Sequence, residues 1–95
     1  MAGEPLFIPK ERIYTQGVLQ LVDEEPDGDI FITRIMARHV RGDWGDIGNQ
    51  EKAENEQALT KGGQLFSAYD YGDKRIWIIT SADRLVMTIL LPEEY

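Results

Sequence analysis

Apolar residues recur along this chain with two different periods, and the change falls near residue 63. Over residues 30–40 the side chains Phe31, Ile32, Ile35, Met36 and Val40 fall on one stripe of a helix. Asp29 stands where a cap is wanted and Gly42 where a helix stops. Residues 16–23 carry Val18, Leu19, Leu21 and Val22 behind Thr15, a natural N-cap, and predict a shorter helix. Val18, Gln20 and Val22 also alternate as a strand would, which leaves a strand as the alternative there. Residues 11–14 predict a short strand, and the loop 24–28 carries a proline and a glycine. Residues 49–60 predict a third helix capped by Asn49. Glu51 and Glu54 lie near its positive end and Lys61 near its negative end. Its apolar content is only Ala53, Ala58 and Leu59, so it should lie on the surface, and Gly62 and Gly63 end it.

Beyond residue 63 the period is two. Residues 64–69, 75–80 and 85–91 are rich in β-branched and aromatic side chains and predict strands. Gly72-Asp73 marks a hairpin turn within 70–74, residues 81–84 form a second tight connection, and Pro92 ends the last strand. The run Ile76 to Ile79 is apolar at every position, which predicts a central strand covered on both faces. The expected fold class is therefore α+β, with two to three N-terminal helices packed on one face of a three- to four-stranded antiparallel sheet, a C-terminal meander. Residues 1–10, with two prolines and a glycine, are expected as a flexible arm before a single domain at 11–95. The apolar segment 85–91 offers a strand edge, so a homodimer through the sheet is an expected possibility.

Charge changes this picture more than length does. Seventeen acids stand against ten bases, for a net charge of −7. Direct DNA binding is not expected of such a chain, because phosphates would meet net repulsion. The acidity serves either solubility or imitation of a polyanion in a partner's nucleic-acid groove. There is no cysteine, which excludes disulfides and thiolate metal sites and favours a reducing compartment. A single histidine among scattered carboxylates lacks ligand spacing, so neither metal nor cofactor is expected. No apolar run approaches a membrane span or a signal peptide, and the expected location is cytoplasmic, off the membrane.

The densest chemistry lies at residues 39–46, where His39, Arg41, Asp43, Trp44 and Asp46 fall among glycines. His39, at a helix C-terminus, is either an acid–base group or a structural histidine bonded to a neighbouring strand. Trp44 fits a plug between helices and sheet, and Asp43 and Asp46 suit bonds within their own turn. Arg34, Arg38 and Arg41 share a helical face. They meet either an acidic partner, Glu51 or Glu54, or solvent. Asp83 and Arg84 form either a local pair or, through Arg84, an anion contact. If His39, Thr80, Arg84 and Thr88 converged on one sheet face, they would make a metal-independent phosphodiesterase-like set. His39 would be its base, and Arg84 would steady the phosphate.

The stretch Ala37-Arg38-His39-Val40-Arg41-Gly42-Asp43-Trp44-Gly45-Asp46 resembles the central motif of a family of small uncharacterised bacterial proteins labelled plasmid-related. The resemblance runs over roughly residues 13–95. It implies a setting, namely plasmids, prophages and other mobile elements, and no specific activity. The acidic loop before Gly28 departs from the family pattern. So do Leu85 to Met87, where smaller polar residues are usual, and this weakens the case for a polar active site on that strand. The expectation is a nonenzymatic acidic protein that occupies a host nucleic-acid-handling defence complex, as an anti-restriction or anti-CRISPR inhibitor does. Asp23, Glu24, Glu25, Asp27 and Asp29 form its dense anionic patch. Arg41, Asp43, Trp44 and Asp46 supply further partner contacts. The alternative is a small ribonuclease or toxin-like enzyme built on His39 and Arg84, an analogy of element order alone.

Overall fold

The computed structural model describes residues 3–95. Three helices and four strands follow in the order β1 (Glu11–Tyr14), α1 (Gln16–Glu24), α2 (Gly28–Val40), α3 (Asn49–Lys61), β2 (Leu65–Tyr71), β3 (Lys74–Thr80) and β4 (Val86–Leu90). A turn of 3-10 helix, Pro92–Glu94, closes the chain. The α+β class and the C-terminal meander stand as expected. The sheet order is β1-β4-β3-β2. The meander is antiparallel, whereas β1 lies parallel to β4 with Ile13 opposite Thr88, so the sheet is mixed. Consequently β4 is an interior strand, and the edge expected at residues 85–91 belongs instead to β1.

Alternation along the strands sorts the sheet into two unlike faces. Leu65, Ser67, Tyr69, Ile76, Ile78, Thr80, Met87 and Ile89 point inward and are buried. Val18 and Leu21 of α1 and Ile32 and Ile35 of α2 close over most of that face. Complete burial of a side chain of this size stabilises by roughly 1.5–3 kcal/mol relative to exposure, so this layer carries most of the fold. On the outer face Phe66, Trp77, Ile79 and Thr88 are only half-buried. The expectation that β3 is covered on both sides is thus corrected. There is one helical layer, and the outer face has in its place an edge-to-face run of Phe66, Trp77 and Tyr95.

Helix α3 is mostly exposed, as its thin apolar content requires, and it flanks the β2 edge. The Asn55 side chain imitates a neighbouring strand: its amide donates to Phe66 O at 2.6 Å, and its oxygen accepts from Phe66 N–H at 3.1 Å. Further along, Ala68 N–H donates to Trp44 O and Asp46 N–H donates to Ala68 O. The β2 edge is thereby closed. Gly72, with φ of 60°, supplies the first central position of the β2–β3 hairpin turn.

Helix caps differ in detail from expectation. Helix α2 begins at Gly28 with Asp27 at its cap, and Gly48 rather than Asn49 caps α3. Thr15 stands at the α1 cap, yet its hydroxyl bonds Glu94. It is Glu94 that accepts the free Gly17 N–H, at 2.8 Å, so a carboxylate from the last turn caps the first helix. Of the arm expected at 1–10, Met1 and Ala2 lie outside the described residues. Leu6 N–H donates to Val40 O at 2.7 Å, and Pro9 is buried. Among the described residues, no helix is long and apolar enough to cross a membrane, and no cluster of three or more His, Asp or Glu side chains is placed to hold a metal.

Candidate functional site

His39 ends the buried stripe of α2, one turn after Ile35. It is 0% exposed. Its Nδ1 lies 2.6 Å from Ser67 Oγ on β2, and its Nε2 lies 2.7 Å from Thr80 Oγ1 on β3. Both hydroxyls are themselves buried. A hydroxyl donates or accepts as required, so either neutral tautomer satisfies both ring nitrogens. Phe7 and Trp44 close the remaining approaches edge-to-face, with centroids 5.8 and 5.6 Å from the imidazole.

Burial pushes the His39 pKa down to about 3, and the charge of Arg84 adds to the shift. The helix C-terminus, expected to favour the charged form, is outweighed by desolvation. The native state accepts a proton only near pH 3, whereas the unfolded chain accepts one near pH 6.5. This contribution to stability is therefore intact above about pH 6.5 and is lost as pH falls below it. Between pH 6.5 and 4.5 wild-type stability should fall by about 2 kcal/mol. Urea unfolding of wild type and His39→Gln measures it: the variant should lack this slope, and parallel curves would remove the imidazole as its source.

The other members of the supposed catalytic set do not join His39 at an open surface. Thr80 lies opposite Met87 on the inner face, while Thr88 lies opposite Ile79 on the outer face. Period-two alternation therefore separates the two threonines by the thickness of the sheet. Arg84, at φ of 65°, donates to the carbonyls of Ala58 (2.8 Å), Gly63 (2.6 Å), Ala82 (3.0 Å) and Ser81 (3.2 Å). It ties the C-terminus of α3 to the β3–β4 connection, where its charge suits the helix dipole. Nor does it pair with Asp83, whose carboxylate accepts from Ser81 Oγ and Leu85 N–H instead.

The expected partner-binding residues divide into two groups. Asp43 pairs with Arg38 at 2.7 Å, and Asp46 pairs with Arg75 at 2.9 Å. Trp44 is buried, and its indole N–H donates to Glu56 at 2.8 Å. These three side chains tie their own loop to α2, α3 and β3 in turn. Arg38 also stacks over Tyr69, 4.8 Å from the ring centre, and the Tyr69 hydroxyl donates to Asp43 O. Arg41 and Arg34 are exposed, and no ion pair reaches them among the described residues, Glu51 and Glu54 included.

Asp23, Glu24, Glu25, Asp27 and Asp29 gather at the corner between α1 and α2. All but the half-buried Glu25 are exposed, and none forms a salt bridge among the described residues. Their bonds are local and few: Glu24 accepts from the Gln20 amide and Asp29 from the Ile30 N–H. Leu19 and Ile30, 56% and 52% exposed, flank the acids. Ser67 and Asn55 escaped the sequence reading. Each carried a signal: Ser67 occupies an inward position between Leu65 and Tyr69, and Asn55 precedes Ala58 by three residues on the buried side of α3. No protein-family model, curated protein or solved structure matches the chain, so the reading of these sites rests on its own residues.

Proposed function

We propose that this chain is a small acidic binding protein of a mobile genetic element. It acts by occupying a basic, nucleic-acid-handling surface on a host protein, in the manner of an anti-restriction or anti-CRISPR inhibitor. One observation carries the reading. Among the described residues, the carboxylates near Arg38 and Arg75 are neutralised, whereas the five at the α1–α2 corner are not. A dense group of unpaired carboxylates presents to a basic groove the charge that phosphates would present. Leu19 and Ile30 beside them add apolar area that a phosphate backbone lacks. The mobile-element setting follows from the family resemblance of residues 37–46. The ribonuclease alternative needs a phosphate to reach the His39 imidazole, which Ser67, Thr80, Phe7 and Trp44 enclose.

The test is affinity capture from bacterial lysate at low salt, with the wild type beside an Asp23→Lys/Glu24→Lys/Asp27→Lys variant. The wild type should retain a DNA- or RNA-binding protein, and competing nucleic acid should release it. The variant should bind that protein at least about tenfold more weakly, since three charges reverse within a Debye length of the contact. Equal retention by the variant, or a complex indifferent to salt and nucleic acid, would overturn the reading.

A further inference from the structure

The two edges of the sheet are treated differently. Along β2, Asn55 and the 44–46 loop occupy the outward backbone groups of Phe66 and Ala68. Along β1, Thr15 N–H donates to Ile89 O and Glu11 N–H to Leu85 O, so the odd-numbered residues face β4. The alternate residues Arg12 and Tyr14 therefore turn their N–H and C=O groups away from the sheet, and among the described residues no backbone bond meets them. Glu11, Arg12 and Ile13 are exposed. The edge is short and carries Glu11 and Arg12, but among the described residues no proline or bulge interrupts it and no loop bonds to it.

The geometry points to a second copy of this chain as the strand that pairs here, with β1 antiparallel to β1 about a two-fold axis at Ile13. In that register Arg12 of each copy lies opposite Tyr14 of the other, and the two exchange both backbone hydrogen bonds. Ile13 meets Ile13 as the closer, non-hydrogen-bonded pair on the outer face. Glu11 falls opposite Thr15, and Arg12 lies beside a tyrosine ring, so no like charges are opposed. Moving the axis one residue back to Arg12 sets two arginines against each other. Lys10, Glu11 and Arg12 sum to one positive charge on a chain of net −7, so two copies approach here without the repulsion found elsewhere. The product is one continuous eight-stranded sheet.

Sedimentation velocity and light scattering over a concentration series up to sub-millimolar give the first readout. The wild type should reach twice the chain mass of 10.9 kDa. Arg12→Pro removes an outward donor without touching the β4 ladder, and Ile13→Lys places two ammonium groups at the axis. Each should halve the mass with an unchanged far-UV spectrum, and if the proline variant misfolds, Ile13→Lys decides. Mild oxidation of Ile13→Cys should cross-link the pair almost completely, because non-hydrogen-bonded antiparallel partners suit a disulfide. Thr88→Cys should stay monomeric on denaturing gels. A wild type that remains monomeric throughout would overturn the proposal. So would a dimer that survives Ile13→Lys, or cross-linking through Thr88→Cys in preference, which would mean face-to-face stacking.

Discussion

His39→Ala should cost the domain roughly 4 kcal/mol, a large share of the 5–10 kcal/mol expected for a chain of this size. Two effects add. The lost ring leaves a cavity between α2 and the sheet, walled by Phe7 and Trp44. Ser67 Oγ and Thr80 Oγ1 also lose their bonds to the imidazole, in a place where every buried side-chain polar atom among the described residues is bonded. Equilibrium urea unfolding measures the sum. The double variant Ser67→Ala/Thr80→Val separates the parts: it removes both hydroxyls while keeping the ring, and strands the imidazole in turn. A loss below about 1 kcal/mol in His39→Ala would mean that the pocket collapses or takes up water, and that the imidazole is no keystone.

Gly45→Ala should be nearly as damaging, at roughly 3 kcal/mol or more. Gly45 has φ of 73°, and a Cβ there would lie 2.1 Å from Ala68 O and 2.7 Å from the Tyr69 ring. The loop cannot keep its bridge to β2 and also accommodate the methyl group. It should lift, releasing Trp44 and breaking the Asp46 N–H to Ala68 O bond. Near-UV circular dichroism should weaken as Trp44 becomes mobile, alongside a lower thermal midpoint. Gly48→Ala is the comparison, because φ there is −71° and the nearest atom to a new Cβ is the flexible Glu51 carboxylate at 3.3 Å. It should cost less than about 1 kcal/mol. Equal effects at the two positions would show that the close approach of Gly45 to β2 is not what holds the loop.

Local periodicity made most elements legible. Stripes at helical spacing placed α2 and α3 to within two residues, and glycines, prolines and turn residues divided the three C-terminal strands correctly. Pairing was less legible, because it depends on contacts far apart in sequence. Nothing within residues 11–14 says that their neighbour will be β4 or that the two will run parallel. The four apolar residues from Ile76 to Ile79 suggested burial on both faces, but side-chain type does not count the layers above and below a strand. At the site, the inward position of His39 followed from its spacing after Ile35. The separation of Thr80 from Thr88 required the register, in which Thr80 meets Met87. Arg84 was misleading for a different reason. A cation beside a turn suggests an anion, yet helix C-termini and glycine-rich loops leave carbonyls that attract the same group.

The pairing of β1 with β4, together with the bonds from Glu94 to Thr15 and Gly17, sets a schedule for synthesis. On the ribosome, β1 and the first turn of α1 emerge ahead of the rest of this domain, and both stay without their partners until residues 86–94 have followed. The two halves of the main core cannot close over each other before then. The α1–α2 hairpin must wait as an exposed amphipathic pair, in which the charged corner helps to keep nascent chains apart. Folding of this domain is therefore governed by the slow closure of a loop nearly as long as the domain itself.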